Sequence, residues 1–132
     1  MSDNVTSTYI HAANGNHTLH LTNESDSTGE DGSTPKVDIS GLVAGNGLAA
    51  TYTAIQRIEF SVWGFNYVTL YWDADTDDEI AVLKGNGVAD WSLEGGKVDP
   101  RSTGTTGDVK LVTDGGADGS GYDMTIWFKA KN

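Results

Sequence analysis

The densest group of side chains that could do chemistry is Asp73-Ala74-Asp75-Thr76-Asp77-Asp78-Glu79, five carboxylates in seven positions. Carboxylates at alternate positions resemble the opening of a calcium loop, which supplies hard oxygen ligands to a hard cation. The complete loop also needs glycine at its sixth position and a bidentate glutamate at its twelfth. Here those positions hold Asp78 and Lys84, so the run reads as a solvated turn between strands ending at Trp72 and starting at Ile80. Asp114-Gly115-Gly116-Ala117-Asp118-Gly119-Ser120-Gly121 resembles one copy of a calcium-binding nonapeptide. A single copy cannot stack, and stacking builds that ion site, so a flexible hairpin loop is the expected structure.

The histidines are His11, His17 and His20. His17 and His20 lie three apart, which on a strand puts them on opposite faces and prevents shared chelation of one zinc. No nucleophile elbow marks a serine, and neither a P-loop nor a dinucleotide-binding glycine pattern opens a helix. Nothing specific supports an enzyme, a cofactor or a metal site, although distant carboxylates can meet in a cleft, as in glycoside hydrolysis. The chain is read as non-enzymatic.

Charge and composition narrow the field further. Nineteen acidic residues against eight basic ones give a net charge of −11. Binding to nucleic-acid phosphates draws on clustered Lys and Arg, and no such cluster occurs. The acidic balance suits a protein kept in solution at high concentration, or one with a basic partner. There is no cysteine, so neither disulfides nor thiolate metal sites are available. No basic segment followed by an apolar stretch opens the sequence, and no run approaches the roughly 20 apolar residues of a membrane span. Synthesis in a cytoplasm, without membrane association, is the expectation.

The elements that must position any site read as strands. At 132 residues, one domain is expected over 1–132. Seventeen glycines, with many Thr, Asp, Asn and Ser residues, separate runs rich in Val, Ile, Thr and aromatics. No helical spacing persists for three turns. Asn4 to Ala13 and His17 to Asn23 form an opening pair around Asn14-Gly15-Asn16, with residues 1–13 a candidate docking strand or arm. Glu24 to Pro35 has no aliphatic or aromatic residue and reads as an exposed acidic loop. Lys36 to Ile39 is a short strand, and Gly41 to Ala50 is a flexible connection.

Ile58 to Val62 and Val68 to Trp72 alternate apolar with polar residues, the period of half-buried strands, and Gly64-Phe65-Asn66 is read as a hairpin between them. Ile80 to Leu83, Val88 to Leu93, Val109 to Thr113 and a central last strand Tyr122 to Lys129 complete eight or nine strands. The expectation is an all-β, antiparallel sandwich or jelly roll without substantial helix. Its core should contain Leu19, Leu21, Ile58, Phe60, Val62, Val68, Leu70, Trp72, Val82, Leu111, Met124, Ile126 and Phe128. Trp63, Tyr71 and Trp127 fall out of phase with that set. They either meet a partner or lie beneath loops and the N-terminal segment. With Val5, Tyr9 and Ile10 they form the candidate interface.

Leu70 to Trp91 carries a Trp72-Asp73-Ala74 turn and a Leu83-x-Gly85-x-Gly87 turn, and Gly104 to Thr113 carries Gly107-Asp108-Val109-x-Leu111-x-Thr113. These features resemble the small structural proteins that decorate or cement the capsids of tailed bacteriophages. The resemblance covers the second half of the chain. It implies a virion protein bound to the outside of an assembled shell, with the phage major capsid protein as partner. Trimers, or copies grouped at local threefold axes, suit such a shell. It implies no catalytic residue. A carbohydrate-binding β-sandwich using Trp63, Tyr71 and Trp127 is the alternative of a different class, and a tail or neck component of a virion is a third.

The failed sixth and twelfth positions of the Asp73 run predict that neither EDTA nor calcium shifts the melting temperature. A calcium-dependent rise of several degrees, abolished by Asp75→Asn, would contradict that reading.

Overall fold

A computed structural model describes residues 4–11, 16–26, 29–30, 32, 35–39, 42, 47–74, 78–94, 96–98 and 105–131. The described part is all-β, with eight strands in two antiparallel sheets packed as a sandwich. The strands are β1 (Asn4–His11), β2 (Asn16–Asp26), β3 (Tyr52–Trp63), β4 (Tyr67–Ala74), β5 (Asp78–Leu83), β6 (Asn86–Asp90), β7 (Thr105–Asp114) and β8 (Asp118–Lys131). One sheet has the order β1-β2-β8-β3-β6, and the other has the order β5-β4-β7. The apolar last strand is central, as expected, with β2 and β3 on its flanks. A 3-10 turn, Ser92–Glu94, follows β6.

Alternation along the strands decides what lies between the sheets. Leu19 and Leu21 of β2, Ile58 and Val62 of β3, and Tyr122, Met124, Ile126 and Phe128 of β8 point inward from the larger sheet. Val68, Leu70 and Trp72 of β4 and Val109 and Leu111 of β7 meet them from the smaller one. The expected core is found with two departures. Phe60 is only partly buried and packs at the rim, its ring lying over Gly87. Val82 is half exposed, while Ile80 and Leu83 are buried in its place. The cause is a bulge: Leu70 faces Ala81 and Tyr71 faces Glu79, so Ile80 is the extra residue. It turns inward with Ala81 and Leu83, and Val82 is left on the outer face.

Within a sheet, β1–β2 and β4–β5 are joined as hairpins and β2 leads to β3 past the intervening β8, while four connections cross between sheets, three of them short arches. β3 and β4 do not pair, so Gly64-Phe65-Asn66 is an arch and not the expected hairpin. Lys84 and Gly85 carry the chain back from β5 to β6, and Asp114 to Asp118 carry it from β7 to β8. The first and third arches support each other. The Asn66 amide and side-chain nitrogen donate to the Asp114 carbonyl at 2.9 Å and to its carboxylate at 3.0 Å. Phe65 is buried against Gly116, where a Cβ would sit 2.6 Å from the ring. The Asp114–Gly121 segment is thus a packed corner and not a loose hairpin loop.

The acidic 24–35 segment also departs from the exposed loop expected of it. Glu24, Ser25 and Asp26 extend β2, and Ser25 is buried. Further on, the chain lies along the open edge of β7. The Thr113 amide donates to the Glu30 carbonyl at 3.0 Å, and Val37 and Val109 form a two-way bridge. The Glu30 carboxylate is largely enclosed. It accepts from the Tyr122 hydroxyl at 2.5 Å, from the Asn23 amide at 2.9 Å, and pairs with the Lys36 ammonium at 2.5 Å. Burying a carboxylate is costly unless it is paired and hydrogen-bonded, and here three donors meet it.

Strand β1 is not a free arm. It pairs with β2 along its whole length, and Tyr9 packs edge-on to Phe128 with ring centroids 6.5 Å apart. The Tyr9 hydroxyl donates to the Lys36 carbonyl at 2.7 Å. Burial of the ring pushes this phenol above its ordinary range.

Two substitutions test this packing. Phe128→Ala removes a fully buried ring and is expected to cost about 3–5 kcal/mol in denaturant melts. A loss under about 1 kcal/mol would refute the assignment of that ring to the core. Tyr122→Phe keeps the ring but deletes one hydrogen bond to a buried charge, for an expected loss of about 1.5–3 kcal/mol. An unchanged midpoint would mean that Glu30 is held by its other partners alone.

Candidate binding face

The outward side of the five-stranded sheet is a continuous surface whose rows follow from the register. Ile10, Thr18, Trp127, Arg57 and Asp90 lie side by side across all five strands. The next row holds Thr8, His20, Thr125, Glu59 and Val88, and the one after it Thr6, Thr22, Asp123, Ser61 and Asn86. The last row brings Glu24, Gly121 and Trp63 together. Side chains project from a pleated sheet at alternate residues, so the polar half of each alternating strand supplies this face.

Polar contacts order much of it. The Arg57 guanidinium lies over the Trp127 ring at 5.6 Å and pairs with Glu59 at 2.7 Å. A cation over an indole is worth about 0.5–1 kcal/mol at an exposed site. His20 meets Asp123 at 2.7 Å, and the hydroxyls of Thr6 and Thr22 hydrogen-bond each other. Ser61 donates to Asn86 at 2.8 Å. At the β6 edge, the hydroxyl and amide of Ser92 both donate to Asp90 and hold its carboxyl below the usual carboxylate range. Apolar groups punctuate this polar field: Ile10 is 62% exposed, Val88 53% and Trp63 46%.

The structure sorts the candidate interface residues into three groups. Ile10, Trp63 and Trp127 share this outer face, with Trp127 half-buried beneath Arg57. Tyr71 belongs to the other sheet, on its outward side and partly buried. Val5 and Tyr9 sit on the inward side of β1, and Tyr9 is committed to the core. Arg57, Glu59 and the His20–Asp123 pair, which complete the face, were not legible as a unit, because three strands far apart in sequence supply them. Alternation gave the phase of each strand but not its neighbours.

Asp73 pairs with Lys110 at 3.0 Å, and residues 75–77 lie outside the described part. Among the described residues, no group of three or more His, Asp or Glu side chains is placed to hold a metal ion. His17 is buried and tilted against Phe128 at 5.4 Å, while His20 is exposed on the opposite face. What the geometry offers is a broad surface for contact. No family model matches the chain, and neither a curated protein nor a solved structure was found to be similar to it.

Proposed function

We propose that this protein is a non-enzymatic virion structural protein that binds the outside of an assembled phage capsid and stabilises it. The observation that carries the reading is the outward face of the five-stranded sheet. It is wide and ordered, and Ile10, the Arg57–Trp127 stack and Val88 occupy neighbouring rows at one end. Aromatic residues and arginine are the types enriched where protein surfaces meet.

The motifs that resemble decoration proteins describe the scaffold behind that face. Trp72, Leu83, Val109 and Leu111 of those motifs are buried between the sheets. They account for the fold, and the exposed face supplies the contact. A protein bound only to the assembled shell stabilises it by its binding free energy. An interface of standard size buries roughly 1,600 Å² in total, and repetition over a shell multiplies the effect. The charge of −11 keeps unbound copies apart until a matching site captures them. Grouping in threes would follow from local threefold axes, since symmetric sites favour symmetric partners.

Heads lacking the protein are expected to assemble but to lose DNA at lower temperature. Added protein should restore their resistance and saturate at a fixed number per shell. Ile10→Asp, at an exposed position, should weaken rebinding about tenfold or more without moving the melting curve of the free protein, and Arg57→Ala should weaken it as much while costing the free protein about 1 kcal/mol for the lost stack on Trp127. Absence of affinity for undecorated heads would overturn the reading.

A further inference from the structure

The far end of the same face, three rows from Ile10 and about 20 Å away along the strands, has a different chemistry. Trp63 faces Gly121 across the β3–β8 ladder. A Cβ on Gly121 would lie 2.8 Å from Cζ2 and 3.0 Å from Cε2 of the indole, and 2.2 Å from the Asn23 carbonyl oxygen. Only glycine leaves room for the ring to lie across β8. The indole N–H donates to the Gly119 carbonyl at 3.2 Å, which anchors its edge. Trp63 is therefore held from one side and along one edge, while 46% of its surface remains exposed. An aromatic ring fixed in this way has already lost the freedom that binding would otherwise remove.

Beside the ring opens a cleft of about 380 Å³, lined by Trp63, Gly119, Thr22, Glu24 and Asp123 above Asn23 and Tyr122. That volume falls in the usual range of small-molecule sites. Its floor is rigid, because Asn23 and Tyr122 are both tied to the Glu30 carboxylate. Asp123 is oriented by His20, and Thr22 by Thr6.

We infer that the Trp63 cleft binds a neutral pyranoside, stacked on the exposed indole and held through its hydroxyls by Glu24 and Asp123. A pyranose ring has an apolar C–H face that packs on an indole, and a polar rim of hydroxyl donors. Ionised carboxylates accept hydrogen bonds from such donors more strongly than neutral groups do. The same two carboxylates, on a chain of charge −11, repel uronic and sialic acids. A quaternary ammonium is the other guest for an indole among carboxylates, but it is recognised by a cage of several rings. Here Tyr122 is fully buried, which leaves Trp63 as the exposed ring among the lining residues.

The test titrates the full chain with neutral gluco-, galacto- and manno-configured pyranosides, with sialyllactose and with choline. Binding is read by tryptophan fluorescence and by saturation-transfer NMR. At least one neutral pyranoside should bind, with saturation transfer strongest on the ring C–H protons. Trp63→Ala should weaken it about tenfold or more, and Trp63→Phe less. Glu24→Gln and Asp123→Asn, both at exposed positions, should each weaken it about tenfold. Trp127→Phe should leave it within about twofold, since that ring lies at the opposite end of the face. Failure of every neutral pyranoside at tens of millimolar, tighter binding of choline or sialyllactose, or full binding by both Glu24→Gln and Asp123→Asn would overturn the inference. Capsid rebinding by Glu24→Gln should stay normal, so this site can fail while the shell reading stands, and the reverse.

Discussion

Among the described residues the two sheets share no ladder hydrogen bonds, so beyond apolar packing something polar must fix one against the other, and Glu30 does so. Its backbone closes onto Thr113 at the edge of the three-stranded sheet: its carbonyl accepts at 3.0 Å, and its amide donates to the Thr113 hydroxyl at 2.8 Å. Its carboxylate reaches Asn23 and Tyr122, which belong to the five-stranded sheet. Lys36, six residues on, neutralises the charge. A hydrophobic core is non-directional and tolerates sliding. A buried carboxylate with three donors does not, because a displaced sheet leaves a charge unsatisfied.

Around this junction, the arches set the order of assembly. β4, β5 and β7 form the smaller sheet, but the chain visits β6 in the larger sheet between β5 and β7. Neither sheet is therefore a contiguous piece of sequence. The central strand β8 is made last, and its partners β2 and β3 come from the first half. Such non-local pairing must close long loops before any contact rewards the closure, a topology associated with slow folding.

Much of this architecture was legible from alternation. Leu19, Leu21, Val68, Leu70, Trp72, Met124, Ile126 and Phe128 all face the core as their phase required. Val82 escaped because a bulge inserts one residue, and period-two reasoning cannot anticipate an insertion that depends on the partner strand. Gly64-Phe65-Asn66 was misread because a glycine-containing turn serves a hairpin and an arch equally well. The buried side of Phe65, packed on Gly116, is what distinguishes them. Glu30 lay in a segment without apolar residues, and such a segment reads as solvated unless its carboxylate finds donors elsewhere. The Trp63 platform depends on Gly121, and no local pattern joins two positions so far apart in sequence.

The chain laid over β7 has a consequence for how two copies of this protein can meet. An open strand edge offers a row of backbone donors and acceptors to any passing copy, and is the usual starting point for fibrous aggregation. In this fold, Lys36, Val37 and Glu30 occupy the backbone groups of Val109 and Thr113 that such a neighbour would need. At those two positions the molecule's own backbone already fills the edge, so a second copy cannot pair with them as a neighbouring strand would.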